Sequence, residues 1–176
     1  MSESRSRAST RSAVPSVLFI CTGNICRSPT AHALLLHKAR AAGVELRVDS
    51  AAISDEERGR PADRRTVAEA RRRGVAMPQH VARQVTGADF TRFDRVIGMT
   101  RAHCAALQRL APPGCEHKIG MLMVHAGTPD AAPAEVPDVP DPWYGGPADF
   151  VAVFDMIEHA VDGLLAELQR HAGAAR

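Results

Sequence analysis

The sequence predicts a single three-layer α/β domain, a doubly wound, four-stranded parallel sheet with helices on both faces. Three observations predict it. Short apolar runs alternate with helical periodicities, the pattern of strands and helices joined by right-handed crossovers. No internal repeat or linker divides the chain, so 176 residues at 45% apolar content make one core. A turn-rich segment directly follows the first strand, where such folds carry their ligands.

Residues 1–15 are rich in Ser and Arg and nearly lack large apolar side chains, so a disordered tail is expected ahead of a domain over 16–170. The run Val17-Leu18-Phe19-Ile20 reads as a fully buried strand. A helix opens near Ser28-Pro29, where proline forfeits no needed hydrogen bond, and stops at Gly43. Val44 to Val48 reads as the second strand, and Asp63 to Arg73 as a helix ended by Gly74. Its arginines, Arg64-Arg65 and Arg71-Arg72-Arg73, read as a solvated face. Arg95 to Met99 is the third strand. Arg101 to Leu110 is a helix stopped by Pro112-Pro113-Gly114, and Lys118 to Val124 the fourth strand. Residues 126–142, rich in Pro and Asp, form a long loop of the kind that is usually functional. The last helix, Ala148 to Arg170, aligns Phe150, Val153, Phe154, Ile157, Val161, Leu164, Leu165 and Leu168 on one stripe, leaving 171–176 as a tail.

Composition excludes several classes. Twenty-two basic and twenty acidic residues leave a formal charge of +2, which makes no case for nucleic acid or a membrane surface as partner. No apolar run approaches the roughly 20 residues that span a bilayer. The N-terminus lacks the apolar core of a secretory signal, and four cysteines are too few for a disulfide scaffold. A cytoplasmic location is expected, with export by another route left open.

The loop after the first strand reads Cys21-Thr22-Gly23-Asn24-Ile25-Cys26-Arg27-Ser28. Gly23 and Asn24 tolerate positive φ, so the backbone can curl with successive N–H groups turned inward as an anion nest. The helix that follows adds its positive end. Arg27 offers a planar fork for two phosphoryl oxygens. In that field Cys21 is expected to ionise, as thiolates near helix N-termini and cations do, and to attack phosphorus in line. Ser28 can hydrogen-bond the sulfur. The bare Cys-x5-Arg-Ser spacing is moderate evidence in an arginine-rich chain, and its place between strand and helix adds weight. A proton donor for the leaving oxygen is sought in the long loop among Asp130, Asp138 and Asp141. Asp141, in Asp141-Pro142-Trp143-Tyr144-Gly145-Gly146, is best placed, since aromatic neighbours both desolvate it and wall a substrate ring.

Residues 17–29 resemble the signature loop of the low-molecular-weight protein tyrosine phosphatases. The resemblance continues through Val48-Asp49-Ser50-Ala51-Ala52 and His80-Val81-Ala82-Arg83-Gln84 and ends on Asp141 to Gly146. It implies a flavodoxin-like sheet, no metal and no organic cofactor. It makes Cys21 the nucleophile, Arg27 the transition-state clamp and Asp141 the general acid, with the loop from Thr22 to Ser28 holding the phosphate. Asn24, Ser50 and His80 match positions that support the loop. Cys26 matches a second thiol able to pair reversibly with the nucleophile, while Cys104 and Cys115 match nothing catalytic. The implied substrate is phosphotyrosine in proteins, with inorganic phosphate as product and inhibitor, acted on by a monomer or weak dimer.

Three positions depart from the family pattern. Glu56, in Asp55-Glu56-Glu57, stands where a rim aromatic is common, giving a cleft walled by Glu56, Trp143 and Tyr144. His32 and Thr100 replace acidic residues. Alternatives are a phosphoarginine phosphatase of the same family, disfavoured by the bulk of Ile25, then an arsenate reductase, then a silent phosphate-binding module.

Overall fold

The computed structural model describes residues 14–127 and 135–174. Strands β1 (Ser16–Cys21), β2 (Arg47–Ala52), β3 (Arg95–Gly98) and β4 (Ile119–Met121) form one parallel sheet in the order β2-β1-β3-β4. The chain therefore leaves β1 to one side for β2 and later returns to its other side for β3. The C-terminal end of β1 lies at that reversal, where the flanking connections diverge and open a crevice.

Every residue of β1 is buried, and its side chains alternate between two cores. Val17, Phe19 and Cys21 pack on one face with Leu34 and Leu35 of helix α1 (Arg27–Ala41) and with Ile157 and Leu164 of helix α5 (Pro147–Ala174). Leu18 and Ile20 pack on the other with Phe90, Val96 and Leu107. Helix α2 (Arg64–Arg72) lies against α5, and helix α4 (Arg101–Leu110) covers β3 and β4. All eight residues expected on the α5 stripe are buried. At roughly 1.5–3 kcal/mol for each large apolar side chain, that stripe is ample to hold a long helix on the sheet.

Several expectations need correction. The second strand is not at 44–48 but at Arg47–Ala52. Val44 and Leu46 pack against the core before the strand begins, while the small polar run Asp49-Ser50-Ala51-Ala52 becomes a strand by pairing with β1. The fourth strand is only three residues long, because Leu122–Ala126 tightens into a 3-10 helix. Helix α1 starts at Arg27, so Pro29 is its third residue, and it ends just before Gly43 at φ 65°. A four-residue helix α3 (Asp89–Arg92) was too short to register as a periodicity. Helix α5 runs four residues beyond Arg170.

The arginines expected on a solvated face are not all solvated. Arg73 pairs with Glu69, Asp155 and Glu158 and stacks on Phe154, tying α2 to α5. Asp130 and nearly all of the expected N-terminal tail lie outside the described residues.

Candidate active site

The loop from β1 to α1 turns its carbonyls outward. Cys21 O accepts from Ile53 N–H at 2.9 Å, Thr22 O from Ser54 N–H at 3.0 Å and Ile25 O from Asp63 N–H at 2.8 Å. Asn24 O accepts from His80 Nε2 at 2.6 Å, and Cys26 O accepts from both the backbone and the hydroxyl of Thr30. In a trans peptide the N–H opposes the C=O, so the amides of Thr22, Gly23, Ile25, Cys26 and Arg27 point back toward the centre of the ring. The sixth, Asn24 N–H, donates to Cys21 Sγ at 3.2 Å. A ring of inward N–H groups around a sulfur is a site for an anion.

Asn24 holds the ring closed. It is completely buried and is the one non-glycine residue with positive φ, 58°, among those described. Its Nδ2 donates to Ser28 Oγ and Ser50 Oγ, both at 2.9 Å, and its Oδ1 accepts from Arg83 N–H at 3.2 Å. Ser28 thereby receives one donor and keeps its own proton for Cys21 Sγ, 3.0 Å away. Gly23, which tolerates positive φ, does not adopt it. Its missing side chain instead makes room for Glu57, whose Cγ would lie 3.1 Å from a Cβ there.

Arg27 reaches from the first turn of α1 to the other wall. Its Nη1 donates to Val139 O at 3.0 Å, and its Nη2 donates to Asp141 Oδ2 at 3.2 Å and Thr22 Oγ1 at 3.3 Å. Its Nε is buried with no partner among the described residues, a donor that an anion over the loop would satisfy. Asp141 Oδ1 accepts from Trp143 N–H at 3.1 Å. The desolvation expected of this carboxyl is slight, since the side chain is 44% exposed.

These residues line a cleft of about 170 Å³ with Ser54, Glu56, Glu57, Trp143 and Tyr144 on its rim. Of the other candidate acids, Asp138 is committed elsewhere. Its carboxylate accepts from the backbone and side chain of Arg101 at the start of α4. Among the described residues, no group of three or more His, Cys, Asp or Glu side chains is placed to hold a metal ion.

Burial first, then the charges of Asp63 and Cys21, pushes the Cys26 thiol up to about 12, so it stays protonated at neutral pH. His80 is held below the ordinary imidazole range by burial, consistent with a neutral ring donating from Nε2.

Three contributors escaped the sequence reading: Ser54, Arg65 and His103. Arg65 donates to Trp143 O and Gly145 O, stacks between Trp143 and Phe150, and pairs with Asp63, which itself holds Ile25. It thus ties the Asp141 loop to the anion ring. His103, buried on α4, lies 2.9 Å from Thr22 Oγ1 through its Nε2. Thr100, one of the three departures, caps α4 by accepting from His103 N–H. Only the Asp63 cap of α2 could have pointed to Arg65 in advance; His103 carries no sequence signal.

The family model for low molecular weight phosphotyrosine protein phosphatase matches residues 16–174. The low molecular weight protein-tyrosine-phosphatase of Streptomyces coelicolor is 38% identical over 156 residues, 87% of this chain and 93% of that protein. The low molecular weight phosphotyrosine protein phosphatase of Homo sapiens is 39% identical over 146 residues, 81% and 88% of the two chains. The crystal structure of YfkJ from Bacillus subtilis superposes with a TM-score of 0.82 at 34% identity, covering 92% of this chain and 98% of that one. The match spans the sheet, the anion ring and the Asp141 loop alike, and the chain belongs to the low molecular weight phosphotyrosine protein phosphatase family.

Proposed function

We propose that this chain hydrolyses phosphotyrosine in proteins through a cysteinyl-phosphate intermediate. The observation that carries the reading is the sulfur of Cys21 at the centre of the N–H ring, with Arg27 and Asp141 paired across the same cleft. Phosphate-monoester hydrolysis is among the slowest uncatalysed reactions, so transition-state stabilisation must be very large. The ring amides and Arg27 supply it by meeting the equatorial oxygens of the transferring group with donors already in place.

In the first step the Cys21 thiolate attacks phosphorus, the phosphorus–oxygen bond to tyrosine breaks, and the Asp141 carboxyl gives its proton to the leaving phenolate. In the second, water attacks phosphorus and gives its proton to the Asp141 carboxylate. The sulfur–phosphorus bond breaks, and the thiolate is stabilised by Ser28 O–H and Asn24 N–H. Ser50 and His80 hold Asn24 in place. Trp143 and Tyr144 wall the aromatic ring, and Glu56 with Glu57 makes the opposite rim acidic.

The test is phosphate release from phosphotyrosine, phosphoserine and phosphoarginine peptides, with Cys21→Ser as control. Release confined to phosphotyrosine and lost in the variant is expected. Preferred release from phosphoarginine would overturn the substrate assignment and make Glu56 and Glu57 the guanidinium contact despite the bulk of Ile25. No release from any peptide would overturn the activity.

A further inference from the structure

His103 lies outside the loop, on α4, and takes no part in the chemistry above. Its position is tightly set: the ring is buried, Thr100 Oγ1 accepts its backbone N–H at 3.1 Å, and Asp138 accepts from Arg101 N–H in the same turn. One ring nitrogen, Nε2, lies 2.9 Å from Thr22 Oγ1, while Nδ1 is buried with no partner among the described residues. The same Thr22 oxygen accepts from Arg27 Nη2 at 3.3 Å. Burial, and secondarily the Arg27 cation, lowers the imidazole to about 4, so at neutral pH the ring carries a single N–H.

That proton has two possible sites. On Nδ1 it would be a buried N–H without an acceptor, and Thr22 would have to donate to Nε2. On Nε2 it donates to Thr22, and the group left unpaired is a lone pair. Orphaned buried N–H groups are the rarer defect. With Nε2–H, the Thr22 oxygen receives donors from both Arg27 and His103, which fills its two lone pairs. The hydroxyl proton then has no buried acceptor to turn to, and Thr22 lines the cleft one residue beyond Cys21.

We propose that His103 is a positioning residue that locks the Thr22 hydroxyl as a hydrogen-bond donor to the phosphoryl group held over Cys21. The proposal rests on the phosphatase reading for the identity of the anion, though not for the geometry. It adds a side-chain donor to the ring of amides and couples the start of α4 to the anion site. No proton moves between His103 and the substrate.

Calorimetric titration of the full chain with inorganic phosphate tests it, because binding is read without turnover. His103→Leu should weaken phosphate roughly three- to tenfold, the net worth of one ordinary hydrogen bond. His103→Gln, whose amide offers an N–H near the Nε2 position, should restore most of the loss. Thr22→Val should match His103→Leu, and the double variant should be no weaker than either. Fully additive losses, or a glutamine variant as weak as the leucine one, would reduce His103 to a packing residue and overturn the proposal. If the leucine variant does not fold, the imidazole nitrogen shifts of the unaltered protein decide by NMR: protonated Nε2 is expected, and protonated Nδ1 overturns it. A chain that binds phosphate in this pattern but releases none from phosphotyrosine would refute the activity and leave the His103 assignment standing.

Discussion

The two walls of the cleft are built on opposite principles. The loop from Cys21 to Ser28 is buried except for Thr22 and Gly23, each outward carbonyl named above has a donor, and Asn24 alone spends its backbone and side-chain groups on five partners. The facing loop from Asp141 to Gly146 is exposed throughout except for Pro142. Tyr144 is 93% exposed, and the segment hangs on Arg27, Arg65 and a few backbone contacts. In the proposed reaction the first wall meets only a phosphoryl group, whose shape never varies, so a rigid ring loses nothing and saves reorganisation. The second meets whatever carries the phosphate, so it presents surface. Apart from Asp141, which reaches the leaving oxygen from the exposed wall, chemistry and selectivity are thereby separable, and substitutions on the two walls should differ in kind.

The largest effect belongs to the buried wall. Cys21→Ser should lower turnover by at least about a thousandfold while phosphate still binds, measured by steady-state release beside calorimetry. Asp141→Asn should cost roughly 10²–10³-fold with alkyl or phenyl phosphate and much less with p-nitrophenyl phosphate, whose leaving group needs no proton. Asn24→Ala should cost roughly 10–100-fold in kcat/KM, since it removes three side-chain hydrogen bonds and leaves a Cβ residue at positive φ. Asn24→Gly, which keeps the backbone angle, should recover only the strain part.

The buried side should also be the acid-sensitive one. His32 and His103 are both held to about 4, mainly by burial, against about 6.5 in the unfolded chain. Between those values the unfolded state binds protons that the folded state refuses. The stability each contributes is therefore whole above pH ~6.5, falls with pH, and is gone below about 4, up to about 3 kcal/mol apiece. Glu69, held down to about 2 chiefly by Arg72, stays ionised in the folded state through that window, and its own contribution goes mostly at lower pH. A thermal midpoint that drops from pH 6.5 to 4, and drops less in a His32→Gln, His103→Gln variant, is expected. The smallest effect is on the rim. Glu56→Ala should raise kcat/KM for acidic phosphopeptides a few-fold and leave p-nitrophenyl phosphate unchanged, since an exposed charge acts weakly.

The same contrast explains what could be read from the sequence. The anion ring is local: its apolar strand, its tolerant Asn24, its Arg27 and its helix follow one another in 20 residues, so pattern alone locates them. Strand β2 is displaced from the expected segment because Asp49-Ser50-Ala51-Ala52 has no strand signature and owes its extension to β1 beside it. Arg65 looked like solvated charge because its aromatic partners, Trp143 and Phe150, are about 80 residues away. His103 was invisible for the same reason. Its meaning lies in an oxygen 81 residues earlier and in a buried nitrogen with nothing to bond.

The central claim is that the sulfur of Cys21 carries the phosphoryl group between the two steps. Acid quench within the first turnover of a phosphotyrosine peptide, followed by mass analysis of the fragment containing residues 17–27, tests it directly. A phosphoryl group on Cys21, absent after the reaction has run out, is the expected result. Turnover at full rate with that fragment unmodified throughout, or with the phosphoryl group on another residue, would contradict it.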